Sequence, residues 1–252
     1  MLLCSSVFIM PLPVFATSIV VVLGDRLVTI AADSVLVGYT AKGEVVHRLL
    51  CKIRCFDRAC FAASGRYNEE TIGYDVWKFV DKELRLKGTP NAHSNRFKST
   101  IDPLMRKIVD VARKETPGRF AEWQKGDPVL SYIFVGFDEN GVSLAVSGEA
   151  KIDGKGYSVP IQESQWHGER GKVAAVYLGQ NERIVDFVNR NPKWSNTAVN
   201  HPSEFAESMV RIEIQESQNN GRWDVGEPIT IISLTANNGF ALVKRGLCQD
   251  NK

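Results

Sequence analysis

The chain has 252 residues, 44% hydrophobic and 24% charged, with 31 Lys and Arg against 29 Asp and Glu and a formal net charge of +2. Such a chain buries a sizeable core, and its charges are spread along the sequence with no basic block, which excludes the electrostatic footprint of a nucleic-acid binder. The four histidines, at 47, 93, 167 and 201, fit no short metal-ligand spacing and the five cysteines, at 4, 51, 55, 60 and 248, form no CxxC, so neither a metal site nor a cofactor is expected.

Residues 1–16, MLLCSSVFIMPLPVFA, are uncharged and mostly apolar, and too short for a membrane span of about 20 residues. The small residue ending Val14-Phe15-Ala16 reads as a secretory leader without the usual positive start, which implies a periplasmic or secreted protein; a short propeptide on a cytoplasmic protein is the alternative. Cleavage after Ala16 by either route makes Thr17 the N-terminus. The remaining cysteines are read as buried thiols, with Cys55 and Cys60 the one pair that a turn at Asp57-Arg58 would let bridge.

In chain order, β-branched runs at Ser18 to Leu23 and Leu27 to Asp33 flank Gly24-Asp25-Arg26 and predict a hairpin. Residues 34–50 are mixed and Gly-containing, and a second strand pair follows at Lys52 to Phe56 and Ala59 to Ser64, ended by Gly65. Helical spacing runs from Asn68 to about Leu86 and again after Ser99-Thr100 through Ile101, Leu104, Ile108 and Val111. Strands are predicted at Val129 to Asp138 and Gly141 to Ser147, then a polar, Gly-rich insertion at 149–171 and a strand at Lys172 to Leu178. Helices at Asn181 to Asn189 and Ser203 to Ser217 precede a last strand pair at Ile229 to Thr235 and Phe240 to Lys244. Hairpins alternating with helix pairs predict stacked sheets with helices outside, in one domain from 17 to 252. The tryptophans at 77, 123, 166, 194 and 223 share no period and are read as gap-filling side chains.

A free N-terminal threonine supplies a hydroxyl nucleophile and, in its α-amine, a base whose unperturbed pKa of about 7.7–8.0 lies near neutrality. Ala31-Ala32-Asp33 ends the second strand after Thr17, Lys52 opens the next strand in Cys51-Lys52-Ile53-Arg54, and Ala63-Ser64-Gly65 ends the one after it. Phe134-Val135-Gly136-Phe137-Asp138 gives a Gly-x-Asp hairpin. In this order and spacing, sparse from 17 to about 244, the motifs resemble those of the N-terminal-nucleophile hydrolases, in particular the proteasome β-type peptidases and their bacterial relatives. The resemblance implies an α+β fold, a four-layer αββα sandwich of two antiparallel sheets flanked by helices. It implies Thr17 as nucleophile, Lys52 held beside it by Asp33, the Gly65 N–H facing the oxyanion, and assembly as a homo-oligomer.

The sequence departs from that family in four places. The Asp33–Lys52 stretch is longer and the Lys52–Gly65 stretch shorter, which leaves Arg54 as the rival cation. The supporting serine turn before the third helix is replaced by Tyr177-Leu178-Gly179-Gln180, with Gly179 in its place. The supporting Asp–Ser pair after the fourth helix is replaced by a segment offering Asp224. Gly148 through Lys155 has the wrong spacing for a phosphate-binding loop, and no G-x-S-x-G elbow occurs. Three functions remain open: hydrolysis of peptide bonds, a small-molecule amidase or acylase on the same fold, and an inactive ring-forming subunit. The expected partners are a peptide or acyl-amide substrate and further copies of the chain, with no nucleic acid and no membrane once the leader is gone.

Overall fold

The computed structural model describes residues 17–39, 45–154, 158–179, 181–221 and 224–244, together with Gly246 and Cys248. The leader, residues 1–16, and Trp223 lie outside the described residues. The first β-branched runs form β1 (Ser18–Leu23) and β2 (Leu27–Ala32), with Gly24 N–H donating to Leu27 O at 2.8 Å to close the turn. Where the sequence pattern predicts no regular element, a small sheet of its own forms from β3 (Val35–Tyr39) and β4 (Val45–Leu49). Next come β5 (Ile53–Phe56) and β6 (Ala59–Gly65), joined through Asp57 at φ +52.

The helix expected from Asn68 starts later. The segment first forms β7 (Asn68–Glu69), a 3₁₀ turn (Glu70–Ile72) and β8 (Tyr74–Asp75), and α1 spans Val76–Leu84. Two caps decide this: Gly73 takes a left-handed φ of +69, and the Asp75 carboxylate accepts from Lys78 N–H at 3.1 Å. Conversely α2 (Pro90–Glu115) begins well before Ser99, capped by Thr89 with Pro90 in its first turn. Ser99 and Thr100 do not cap; their hydroxyls donate back to the carbonyls of Asn95 and Arg96 at 2.9 and 3.0 Å.

The chain continues with α3 (Pro117–Gln124), which the sequence pattern does not predict, then β9 (Leu130–Phe137) and β10 (Ser143–Ala150). The polar stretch at 149–171 contains a strand, β11 (Ile161–His167); its sequence IQESQWH is polar on both faces and carries no alternation signal, so pairing with β10 defines it. After β12 (Ala174–Gly179) come α4 (Glu182–Arg190), a further unpredicted helix α5 (Trp194–Asn200), α6 (Pro202–Asn219), β13 (Thr230–Thr235) and β14 (Gly239–Lys244).

Two antiparallel sheets result, ordered β12-β1-β2-β13-β14 and β11-β10-β9-β6-β5. Alternation along the strands sends their side chains into three clusters. Ile19, Val21 and Ile30 of the first sheet pack against Cys60, Ala62, Ile133 and Val135 of the second. Val20, Val22 and Ala31, on the other face of the first sheet, pack against Phe205, Met209 and Ile214 of α6. Phe61, Tyr132 and Phe134, on the other face of the second, meet Val80 of α1 and Phe97, Ile101 and Met105 of α2. Every residue of β1 is therefore buried, and each such aliphatic side chain contributes about 1.5–3 kcal/mol. Phe61 and Phe97 meet edge-on at 5.3 Å, the geometry that aromatic quadrupoles favour. Trp123 is buried in the same cluster.

The four described cysteines are not free thiols. Cys55 bridges Cys60, its directly opposed partner on β6, and Cys51 bridges Cys248. The second pairing ties the C-terminal segment to the residue before Lys52 and closes a sequence separation of 197, against 5 for the first. Because the entropy removed from the unfolded chain grows with loop length, Cys51→Ser/Cys248→Ser is expected to lose about 2–5 kcal/mol in denaturant unfolding and Cys55→Ser/Cys60→Ser less. An unshifted midpoint for the first variant would contradict a structural bridge there.

Candidate functional site

The antiparallel register of β1 and β2 sets Ile19 opposite Ala32, so the next residues outward, Ser18 and Asp33, also face each other: Asp33 N–H donates to Ser18 O at 3.1 Å. Ser18 N–H returns a bond to Asp33 Oδ1 at 2.9 Å, while Val35 and Gly226 N–H groups donate to Oδ2 at 3.1 and 3.3 Å. A buried carboxylate with this many donors is held in one orientation. Thr17 shares the alternation of Ile19 and Val21, so its side chain turns into the space between the sheets, where β6 lies.

Lys52, immediately before β5, crosses that space. Its Nζ donates to Asp33 Oδ1 and Oδ2 at 2.8 and 3.0 Å and to Thr17 Oγ1 at 3.1 Å, which uses all three ammonium protons. Thr17, Asp33 and Lys52 are exposed to only 3%, 1% and 1%. Arg54, the rival cation, points elsewhere: its guanidinium lies 5.0 Å from the centre of the Trp77 ring and 3.7 Å from Asp81. Of the two cations that the sequence offers, the structure brings Lys52 to Thr17.

Burial raises the Asp33 carboxyl above the ordinary carboxylate range, opposed by the Lys52 charge and by the bonds from Lys52, Ser18 and Val35. Burial likewise lowers the Lys52 ammonium below the ordinary lysine value, opposed by Asp33 and, more weakly, by the charge of Asp224. Each partner thus offsets part of the cost of burying the other's charge, and Lys52 gives up a proton more readily than a lysine in water.

Tyr67 is a residue that the sequence reading does not single out. It lies two positions past Gly65, its hydroxyl donates to Ala63 O at 2.9 Å, and the same oxygen lies 3.2 Å from Thr17 Oγ1. Since the Tyr67 proton goes to Ala63 and Thr17 Oγ1 already accepts from Lys52, the Thr17 proton points at Tyr67. Burial pushes the Tyr67 phenol well above its ordinary value, so it stays neutral and orients the Thr17 hydroxyl without acting as a base. No short motif betrays a tyrosine at this place; only the β6 strand end carries it there. Tyr67→Phe is expected to lower kcat by about 3–15-fold, one neutral hydrogen bond's worth, with KM unchanged. An unchanged kcat in the folded variant would remove Tyr67 from the site.

Gly65 and Gly179 are held by geometry that only glycine meets. Gly65 ends β6 at φ +110, where a Cβ would lie 2.5 Å from Val129 O. Gly179 pairs with Ser18 at φ +81, and a Cβ there would overlap Thr17 O and lie 3.2 Å from Ser64 Oγ. Position 179 is thus a close-approach residue against the Thr17 backbone; Gln180, beyond it, lies outside the described residues. Asp224 is 1% exposed, accepts from Ser217 Oγ at 2.6 Å through Oδ1, and has no partner at Oδ2 among the described residues. Ser217, in the last turn of α6, is its hydroxyl donor. The sequence reading looks for a serine after the helix, whereas Ser217 lies within it. Asp138, in the Gly-x-Asp hairpin, caps its own turn by accepting from Asn140 and Val142 N–H groups at 2.9 and 2.8 Å.

Among the described residues no helix is long and apolar enough to cross a membrane, and no group of three or more His, Cys, Asp or Glu side chains is arranged to hold a metal ion. No protein-family model and no curated protein matches the chain. Among solved structures, an Anbu mutant from Hyphomicrobium sp. strain MC1 is similar over 93% of this chain and 88% of that one, at 12% identity and a TM-score of 0.48.

Proposed function

We propose that the chain is a threonine-type hydrolase of amide bonds, in which Thr17 becomes the nucleophile once residues 1–16 are removed. The observation that carries this reading is the buried triad of hydrogen bonds from Lys52 to Thr17 Oγ1 and both Asp33 oxygens. Two facing antiparallel sheets with helix-packed outer faces support the four-layer sandwich of the N-terminal-nucleophile hydrolases as the fold behind it.

In this mechanism the Thr17 hydroxyl attacks the substrate carbonyl and its proton passes to the freed Thr17 α-amine, directly or through a water. The Oγ1–C bond forms, the Gly65 N–H stabilises the oxyanion, and the C–N bond breaks as the proton moves to the leaving amine. The same amine then draws a proton from the water that hydrolyses the ester. The Lys52 ammonium, fixed by Asp33, supplies positive potential that favours the neutral amine at working pH. The open Oδ2 of Asp224, close enough for its charge to bear on Lys52, is an acceptor for the new amine. No cofactor enters any step.

Two disulfides fit an oxidising compartment and support the secretory reading of residues 1–16. The test is intact mass of the mature protein before and after treatment with a peptide epoxyketone. A chain starting at Thr17 that gains one adduct, mapped to Thr17, is the expected result. A stable N-terminus elsewhere, which blocks or deletes the amine, overturns the mechanism. Light scattering on the same sample is expected to report a homo-oligomer, as the family resemblance implies; a strict monomer favours the small-molecule amidase reading.

A further inference from the structure

The layer between the sheets turns polar at one corner. In the row that ends beside Thr17, Gln162 stands opposite Glu149, Glu149 opposite Ser131, and Ser131 opposite Ser64. Along their strands Ser64, Ser131 and Glu149 share the alternation of Ala62, Ile133 and Ala145, which fill the apolar layer, and Gln162 shares that of Trp166. Packing alone calls for apolar side chains in such a row. A cavity of about 300 Å³ opens there, with Ser147, Glu149, Gln162 and Ser164 on one wall and Leu178 on the other. Leu178 pairs with Ile19 and precedes Gly179, which lies against both Thr17 O and Ser64 Oγ, so one end of the cavity, which runs along β12 from Ala175 to Leu178, lies toward Thr17.

We infer that this cavity is a subsite for a substrate group ending in a cationic nitrogen, an amine or guanidinium of the kind that lysine and arginine side chains carry. The inference rests on the hydrolase reading of Thr17 and adds its substrate class. Glu149 is the one carboxylate in the lining. Its Oε1 accepts from Ser131 Oγ at 3.5 Å, and its Oε2 pairs with Lys151 Nζ at 2.7 Å. Those two side chains are 46% and 42% exposed, and an ion pair so open to water is weak, so a substrate cation can take the place of Lys151. The hydroxyls of Ser147 and Ser164 and the Gln162 amide supply oxygen acceptors for the remaining N–H groups, and the Trp166 ring offers a cation–π surface.

Binding is measured apart from turnover on mature Thr17→Ala protein, by calorimetry with N-acetyl-arginine amide and its neutral isostere N-acetyl-citrulline amide. The arginine compound is expected to bind about tenfold more tightly, and Glu149→Gln in the same background to erase the difference. Equal binding of the two compounds, or a preference that survives Glu149→Gln in a chain with an unchanged circular dichroism spectrum, overturns the subsite. Mature Thr17 protein is assayed in parallel on the aminomethylcoumarin amides of the same two acyl groups, where the preference is expected to appear in kcat/KM. Selective binding without turnover of any amide upholds the subsite and rejects Thr17 as a nucleophile, so the two readings fail separately.

Discussion

Replacing Thr17 by alanine in the mature chain is expected to lower amide hydrolysis by at least about 10³-fold, because the substitution removes the oxygen that forms the acyl ester. Thr17→Ser keeps both the hydroxyl and the α-amine and is expected to retain measurable turnover. Lys52→Ala is expected to fall about 10²–10⁴-fold, since Lys52 donates to Thr17 Oγ1 at 3.1 Å and tunes the proton transfer from it. The two losses concern one step, so the double variant is expected to be little worse than Thr17→Ala alone. The measurement is kcat/KM on fluorogenic amides, with circular dichroism on each variant. Turnover like that of the parent in folded Thr17→Ala sinks the nucleophile assignment. Loss at Thr17 with none at Lys52 leaves the hydroxyl as nucleophile and removes the lysine from the mechanism.

The parts of this site that the sequence discloses are those fixed by strand geometry. A hairpin with its turn at Gly24-Asp25-Arg26 places Asp33 beside Ser18 by counting outward from the turn, so the carboxylate next to Thr17 is legible before any coordinates. Lys52 is legible from its place before a strand, but choosing it over Arg54 is not. Adjacent side chains on a strand point to opposite faces, and positions 52 and 54 share one face on alternation alone. The structure separates them because position 52 lies just before β5 and reaches the layer between the sheets, whereas Arg54, opposite Phe61 on β6, takes the other face, where Trp77 and Asp81 meet it. Tyr67 and Ser217 were not legible. Each acts through a tertiary contact made by the end of an element, and neither belongs to a short motif. The helix starts at Pro90 and Val76 differ from the predicted ones for a local reason, since caps from Thr89 and Asp75 override the apolar spacing that suggests other starts. The strand at Ile161–His167 carries no alternation signal because its inward face is polar, the same property that makes its corner of the layer a candidate binding surface.

Asp33→Ala is expected to destabilise the fold by about 3–5 kcal/mol, because it strands a buried Lys52 charge without its partner. The effect carries a definite pH signature. Burial already lowers the Lys52 ammonium, and the charge and bonds of Asp33 are what oppose it, so in Asp33→Asn the folded lysine titrates lower still. Unfolded lysine titrates near 10.4. In the window between the lowered folded value and that figure, the unfolded chain binds more protons than the folded one, so stability rises with pH there. Below the window both states hold the proton and the deficit is flat and largest; above it the deficit from the charge is gone. The difference in Tm between the parent and Asp33→Asn is therefore expected to narrow as pH is raised from 7 toward 10. A gap that is constant or widens over that range means Lys52 is not held as a buried charge by Asp33. Asp33→Leu combined with Lys52→Met removes both charges and is expected to recover most of the lost stability while remaining inactive. Recovery of Tm without recovery of turnover separates the cost of burying the pair from the use the site makes of it.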